Sequence, residues 1–145
     1  YGDHRDLHLS LRRQRQMCIR DRPNIETFPE VIVYSKELGI AGTIDILMMD
    51  KKSGEYVLID WKTSKRIDKS SFNGKKGIKK ESCTIDDCKY NHYALQLSLY
   101  RYILEKYYGI QVARQLVAQL KDDRVETYSM PYMKNEIITM LDSFN

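Results

Sequence analysis

No stretch of this sequence approaches the roughly 20 consecutive apolar residues that a membrane-spanning helix needs. The N-terminus also lacks the apolar centre and small-residue cleavage site of a secretory signal. Cysteine is scarce, with three residues at positions 18, 83 and 88 in no framework pattern. That scarcity argues against a disulfide-stapled secreted domain and for a reducing, intracellular setting, cytoplasmic or nucleoid-associated, or a host cell for a viral protein. Cys83 and Cys88 fall short of the four thiolates an iron–sulfur cluster takes, so no such cluster is expected and both are read as free thiols. No internal repeat is visible. A chain of 145 residues bounds the answer to at most one domain with a modest core.

Positive charge is also less abundant than the net value of +4 implies. Residues 1–22 hold six arginines and three aspartates, which leaves 18 Lys and Arg against 17 Asp and Glu in the remainder. Those first residues show no helical or strand periodicity that could seat a core face. The run MCIRDR at 17–22, and YGDHRDLH before it, resemble translated sequencing-adapter DNA. Residues 1–22 are therefore expected to be a non-native, disordered segment, and His4, His8 and Cys18 to carry no chemistry. The competing reading is a basic arm that binds nucleic acid.

The rest of the chain has clear patterning. Residues 30–35, 40–50 and 55–62 read as three strands, the third antiparallel to the second across a Lys51-Lys52-Ser53-Gly54 turn. Residues 64–90 lose all pattern, and a loop of that length is usually functional or disordered. From His92 to Tyr108 the period is helical, with Leu95, Leu99, Tyr102, Ile103 and Lys106 able to share a face and Gly109 placed to end the helix. Residues 112–120 and 124–129 read as two more strands. Pro131 suits the first turn of a last helix ending near Phe144.

The residues that can carry chemistry cluster on this frame. Counting out from the turn near Ser53-Gly54 puts Asp45 and Asp60 nearly opposite each other, where cross-strand Cβ atoms are about 4.5–5.5 Å apart. Two carboxylates that close repel unless positive charge intervenes, and a hard divalent cation with oxygen ligands is the natural occupant. Lys62 follows Asp60 by two residues and so projects from the same face. It can reach a scissile phosphate or the attacking water and stabilise charge in the transition state. For Asp60 and Lys62 alone, a structural ion pair on a solvated strand is the plainer reading. An acid on the partner strand changes that balance.

Taken together, G-x-x-D at 42–45, I-D-W-K-T-S at 59–64 and Q-x-x-x-Y at 96–100 resemble the RecB-type, λ-exonuclease-like branch of the PD-(D/E)xK nuclease superfamily. The resemblance implies an α/β (α+β) fold, restriction-endonuclease-like, with an αβββαβ core and a mixed central sheet flanked by helices, covering about 28–120. It implies a domain over residues 23–145 that is truncated at its N-terminus, because nothing between Pro23 and Glu30 can form the family's first helix. The metal ligand that helix often carries would be missing, with Glu30 a candidate substitute. It implies Asp45, Asp60 and the Trp61 backbone carbonyl as metal ligands, Mg²⁺ (or Mn²⁺) as cofactor, and Lys62 as the catalytic lysine. Gln96 and Tyr100 would face the site from the helix, and their i, i+4 spacing independently puts them on one face.

Thr63, Ser64 and His92 are further candidates for touching substrate, His92 because it extends the Gln96–Tyr100 stripe. The loop lysines Lys65, Lys69, Lys75, Lys76, Lys79 and Lys80, with Arg66, suggest a flap that steers a phosphate backbone, or simply a solvated loop. The function so implied is divalent-metal-dependent hydrolysis of DNA phosphodiesters without sequence preference, as an exonuclease or endonuclease of repair, recombination or viral replication. The alternatives are an inactive DNA-binding or scaffold module of the same fold, and a nuclease domain severed from a larger helicase–nuclease.

Overall fold

The β-branched and aromatic alternation along the first half of the chain becomes an antiparallel meander of three strands. In the computed structural model, residues 23–144 are described, and the expectations for residues 1–22 lie outside them. Strand β1 spans Ile25–Ser35, β2 Ile40–Asp50 and β3 Tyr56–Lys62. β1 starts five residues before its alternating pattern, running through Pro29, which pairs in register with Ile46. It is an edge strand, where a missing N–H donor is tolerated. The β2–β3 turn is closed by Gly54 N–H to Asp50 O at 2.7 Å and by Lys52 N–H to Asp50 Oδ1 at 2.8 Å, so Asp50 shapes the turn with its own side chain.

β3 then leaves by a long loop and returns through helix α1 (Lys89–Tyr107) to β4 (Val112–Leu120), which lies parallel to β3. Parallel neighbours need such a crossover. β5 (Val125–Ser129) pairs antiparallel with β4, giving a five-stranded mixed sheet in the order β1-β2-β3-β4-β5. Gly109 ends α1 at φ +67°, and the N–H of Ile110 bonds Leu104 O at 3.1 Å. Helix α2 (Lys134–Asp142) closes the described chain and packs on α1. The mixed sheet with its two helices is the α+β, restriction-endonuclease-like architecture that the motifs imply. No helix among the described residues is long and apolar enough to cross a membrane.

Two local expectations need correction. Pro131 does not start the last helix, which begins at Lys134. Its carbonyl instead accepts from Gln115 Nε2 at 2.7 Å and Ser98 Oγ at 3.3 Å, and Ser98 Oγ also takes the N–H of Met133 at 2.9 Å. The segment is held as a connector by buried polar groups, which a helix start would not satisfy. The buried face of α1 is also rotated from the one expected: Ala94, Leu97, Ser98, Ile103 and Leu104 are buried, whereas Leu95, Leu99 and Tyr102 are only partly covered. Small Ala94 and Ser98 let the helix approach the sheet, and Ser98 offers the hydroxyl that Gln115 on β4 needs (Nε2–Oγ 3.1 Å). Hydrophobic counting passes over both residues.

The core contains Val33, Ile44, Leu47, Leu58, Leu97, Ile103, Leu104 and Val117. Leu58 is fully buried, two residues before Asp60 on the same strand. Leu58→Ala is expected to cost about 2–5 kcal/mol, as lost transfer energy plus the cavity left behind. Urea unfolding measures it, and a loss well under 1 kcal/mol would contradict this packing.

Candidate active site

The ladder between β2 and β3 ends at the pair Ile46–Ile59, one step short of Asp45 and Asp60. β3 continues to pair with β4 beyond this point, through Asp60–Val117, Trp61–Ala118 and Lys62–Gln119. The main chain of β2 therefore stops contributing where the carboxylates begin. Asp45 bridges the gap, since its Oδ2 accepts the N–H of Trp61 at 2.8 Å. One carboxylate thus stands in for a ladder bond.

Asp60 is 3% exposed. Lys62 Nζ lies 2.6 Å from its Oδ2, so the two do share a strand face. Burial drives the Asp60 carboxyl above its ordinary value. Lys62 pulls it back by hydrogen bonding and charge, and the nearby Asp45 adds to the rise. Lys62 is held from the helix side too: Nζ donates to Gln96 Oε1 at 3.4 Å and sits 4.8 Å over the centre of the Tyr93 ring. Gln96 Nε2 in turn donates to Tyr100 OH at 3.3 Å. A chain of contacts runs Asp60–Lys62–Gln96–Tyr100, from β3 to α1.

Gly42 explains how α1 comes so close. A Cβ built there would lie 2.4 Å from the Tyr100 ring, well inside contact distance. The glycine that begins G-x-x-D is therefore a seat for Tyr100, three residues before Asp45.

Ser64 is fixed on both sides. Its Oγ and the Tyr93 hydroxyl are 2.8 Å apart, and its carbonyl accepts from Gln119 Nε2 at 2.5 Å. Gln119 Oε1 accepts from Tyr128 OH at 3.1 Å. Thr63 is exposed and, with Ser64 and Lys65, forms one side of a hollow of about 470 Å³ whose other side is the β4–β5 turn at Lys121–Asp123. His92 is turned elsewhere: its Nε2 is 2.9 Å from Asp87 Oδ1, with both side chains exposed. Glu30 is exposed at φ +52°, between the pairs Pro29–Ile46 and Val31–Ile44 and hence across from Asp45. Among the described residues no group of three or more His, Cys, Asp or Glu side chains is placed to hold a metal ion.

The donor set nevertheless suits a hard divalent cation. It comprises two carboxylates on neighbouring strands, one of them buried with a lysine as its counter-ion, and Mg²⁺ commonly takes only one or two protein carboxylates beside water and phosphate.

Sequence reasoning missed Tyr93 as a partner of Lys62 and Ser64, and missed Gln119 entirely. Tyr93 precedes Gln96 by three residues, which places it on the same side of the helix, so its role was open to a spacing argument. Gln119 offered no signal, because the register of a crossover strand cannot be counted from a turn.

A family model described as the PD-(D/E)XK nuclease superfamily matches residues 5–142. Among solved structures, the crystal structure of SSO0001 is similar at 17% identity and a TM-score of 0.48, over 95% of this chain and 56% of that one. The chain thus spans little more than half of that structure's length. No curated protein matches.

Two outcomes follow from the site's geometry. Gly42→Ala is expected to cost about 1–3 kcal/mol by overpacking against Tyr100. In a Tyr100→Ala background the cost should vanish, and a double-mutant cycle on urea midpoints reads the coupling; additive losses would refute the close approach. The second concerns pH. A folded-state carboxyl raised above its ordinary 3.8 binds its proton more tightly than the unfolded chain does. Its contribution is present at low pH and lost as pH rises through the folded-state value. In metal-free protein at neutral pH, Asp60→Asn should therefore melt higher than the parent. The gap should close toward pH 4, and parallel melting curves would contradict a burial-strained Asp60.

Proposed function

The chain belongs to the PD-(D/E)XK nuclease superfamily, and from that premise we propose that it is a divalent-metal-dependent nuclease that hydrolyses DNA phosphodiesters without reading sequence. The observation that carries this reading is the contact chain Asp60–Lys62–Gln96–Tyr100 beside Asp45, at the point where β2 and β3 cease to pair.

Asp45, Asp60 and the Trp61 carbonyl are the residues that would hold Mg²⁺ or Mn²⁺. When bound, the cation polarises the phosphoryl group and makes water more acidic. Lys62 already serves as counter-ion to Asp60, so its ammonium sits beside the place where a scissile phosphate would meet the carboxylates. There it orients the attacking water and stabilises the charge that builds on the phosphoryl oxygens. Gln96 and Tyr93 restrict the Lys62 side chain, which lowers the entropy lost in placing it. Thr63 and Ser64 stand directly after Lys62, and phosphate contacts from them and from Tyr100 would fix the strand's position without specifying bases. His92, paired with Asp87, is at most a peripheral contact. An intracellular role, and exonuclease action in repair, recombination or viral replication, belong to the same proposal.

The test is cleavage of linear and circular DNA in Mg²⁺. Asp45→Ala, Asp60→Ala and Lys62→Ala should each lower the rate by about 10²–10³-fold or more, with chelation abolishing it. Cleavage confined to linear DNA supports exonuclease action. Full activity in all three variants would reject the assignment.

A further inference from the structure

The long loop between β3 and α1 has an unusual surface. Between residues 65 and 82 there are seven lysines and arginines against two acids, whereas the rest of the chain after residue 22 has eleven against fifteen. The positive charge of the domain is thus concentrated in this loop, and the remainder is acidic. Lys69, Lys75, Lys79 and Lys80 have no acidic partner among the described residues.

Two large apolar side chains stand out among these cations. Phe72 is 77% exposed, and Ile78 is fully exposed at 101%. Each leaves about 2–3 kcal/mol of possible burial energy unused.

The loop is not a loose tether. Ile67, Ile85 and Cys88 are buried and anchor its two ends. A bridge joins Lys76 to Asp86, with Gly77 N–H to Ile85 O at 3.0 Å and Asp87 N–H to Lys75 O at 2.9 Å. Lys76 Nζ also meets Asp86 at 2.6 Å. Gly77 lies so close to Ser82 that a Cβ on it would clash. Phe72 opens a short 3₁₀ turn whose next residue, Asn73, takes the left-handed conformation that asparagine tolerates. A folded projection therefore holds up two bare apolar tips among ammonium groups that lack an acidic partner, two of which, Lys69 and Lys79, rest over the Tyr90 and Phe144 rings. Its first residues are tied to α1, through Ser64 to Tyr93 beside Lys62 and through Tyr90 N–H to Asp68 O at 3.2 Å.

We propose that residues 69–82 form a platform for single-stranded nucleic acid. Phe72 stacks on one base and Ile78 packs against another, while Lys69, Lys75, Lys79 and Lys80 hold the phosphates between them. A single strand fits better than a duplex, because an aromatic side chain needs an unstacked base face to cover. Anionic lipid would also meet cations and apolar tips. Nucleic acid is favoured because the platform lies within the loop that connects Lys62, at the end of β3, to the helix carrying Gln96. The inference deepens the nuclease reading and rests on it for the identity of the polyanion.

The experiment is fluorescence anisotropy with a short labelled DNA strand and the matching duplex, in EDTA so that no turnover occurs, over a salt series. The single strand should bind more tightly than the duplex. Phe72→Ala should weaken single-strand binding by roughly 5- to 150-fold, the cost of one lost base stack, with little change in salt dependence. Phe72→Trp should restore it. Lys75→Ala and Lys79→Ala should each reduce the slope of log affinity against log salt by about 0.7.

The two substituted tips are exposed, so melting temperatures should stay at the parent value. Unchanged single-strand affinity in both Phe72→Ala and Ile78→Ala overturns the proposal, as do equal losses on strand and duplex. Phe72-dependent capture of phosphatidylserine vesicles without DNA binding overturns it in favour of a membrane. Because binding is read without cleavage, Phe72-dependent strand binding in a protein that never cuts DNA would sustain the platform while removing the nuclease assignment. Mg²⁺-dependent cutting that is indifferent to Phe72 would do the reverse.

Discussion

A carboxylate removed from water has to be met by positive charge, and the Asp60–Lys62 contact is where this fold meets that demand. Asp60 is buried because β3 is an interior strand with Leu58 and α1 covering the same side. Lys62 is the counter-ion available on its own strand, two residues on. The pairing is strained toward the protonated acid, since burial outweighs the lysine. Ion pairs of this kind are poor sources of stability. On the proposed function the pair has a use beyond stability, because a second cation would share the acid with Asp45 beside it.

The rest of the architecture keeps that arrangement in place. Ending the β2–β3 ladder at Ile46–Ile59 frees space between strands, and Asp45 spends one oxygen on the Trp61 N–H so that β3 is still tied to β2. From the other side, α1 supplies Tyr93 and Gln96 to Lys62, and its approach is set by Gly42 beneath Tyr100. β4 supplies Gln119, which clamps the chain at Ser64 just after the lysine. β2, β3, β4 and α1 thus each reach the site with at least one polar side chain.

Much of this was legible because hairpin register is local. The turn at 51–54 lets Asp45 and Asp60 be counted into opposition, and strand periodicity puts Lys62 beside Asp60. Helix periodicity likewise joins Gln96 to Tyr100. What was not legible depends on long-range packing. The buried face of α1 is chosen by Ser98 and Gln115, two polar residues whose partnership spans the crossover. Pro131 looked like a helix start by local preference, yet its carbonyl was claimed by the same pair. Gln119 became a clamp only through the parallel register of β4 on β3. Polar residues at core positions carry no hydrophobic signal, so pattern reading assigns them to surface.

The distribution of charge separates two tasks. The candidate chemical site is compact, nearly neutral and built on strands, where side chains are held within narrow limits. The cations that could gather a polyanion sit on a projection outside that core, among exposed apolar tips. Further lysines around Asp60, beyond Lys62, would neutralise the acids and weaken any hold on a divalent ion. Moving them some distance off lets phosphate attraction be strong while the carboxylate pair stays available. On this argument the acidic balance of the remaining described domain is no obstacle to binding nucleic acid, because it would direct the strand toward the basic loop that follows Lys62.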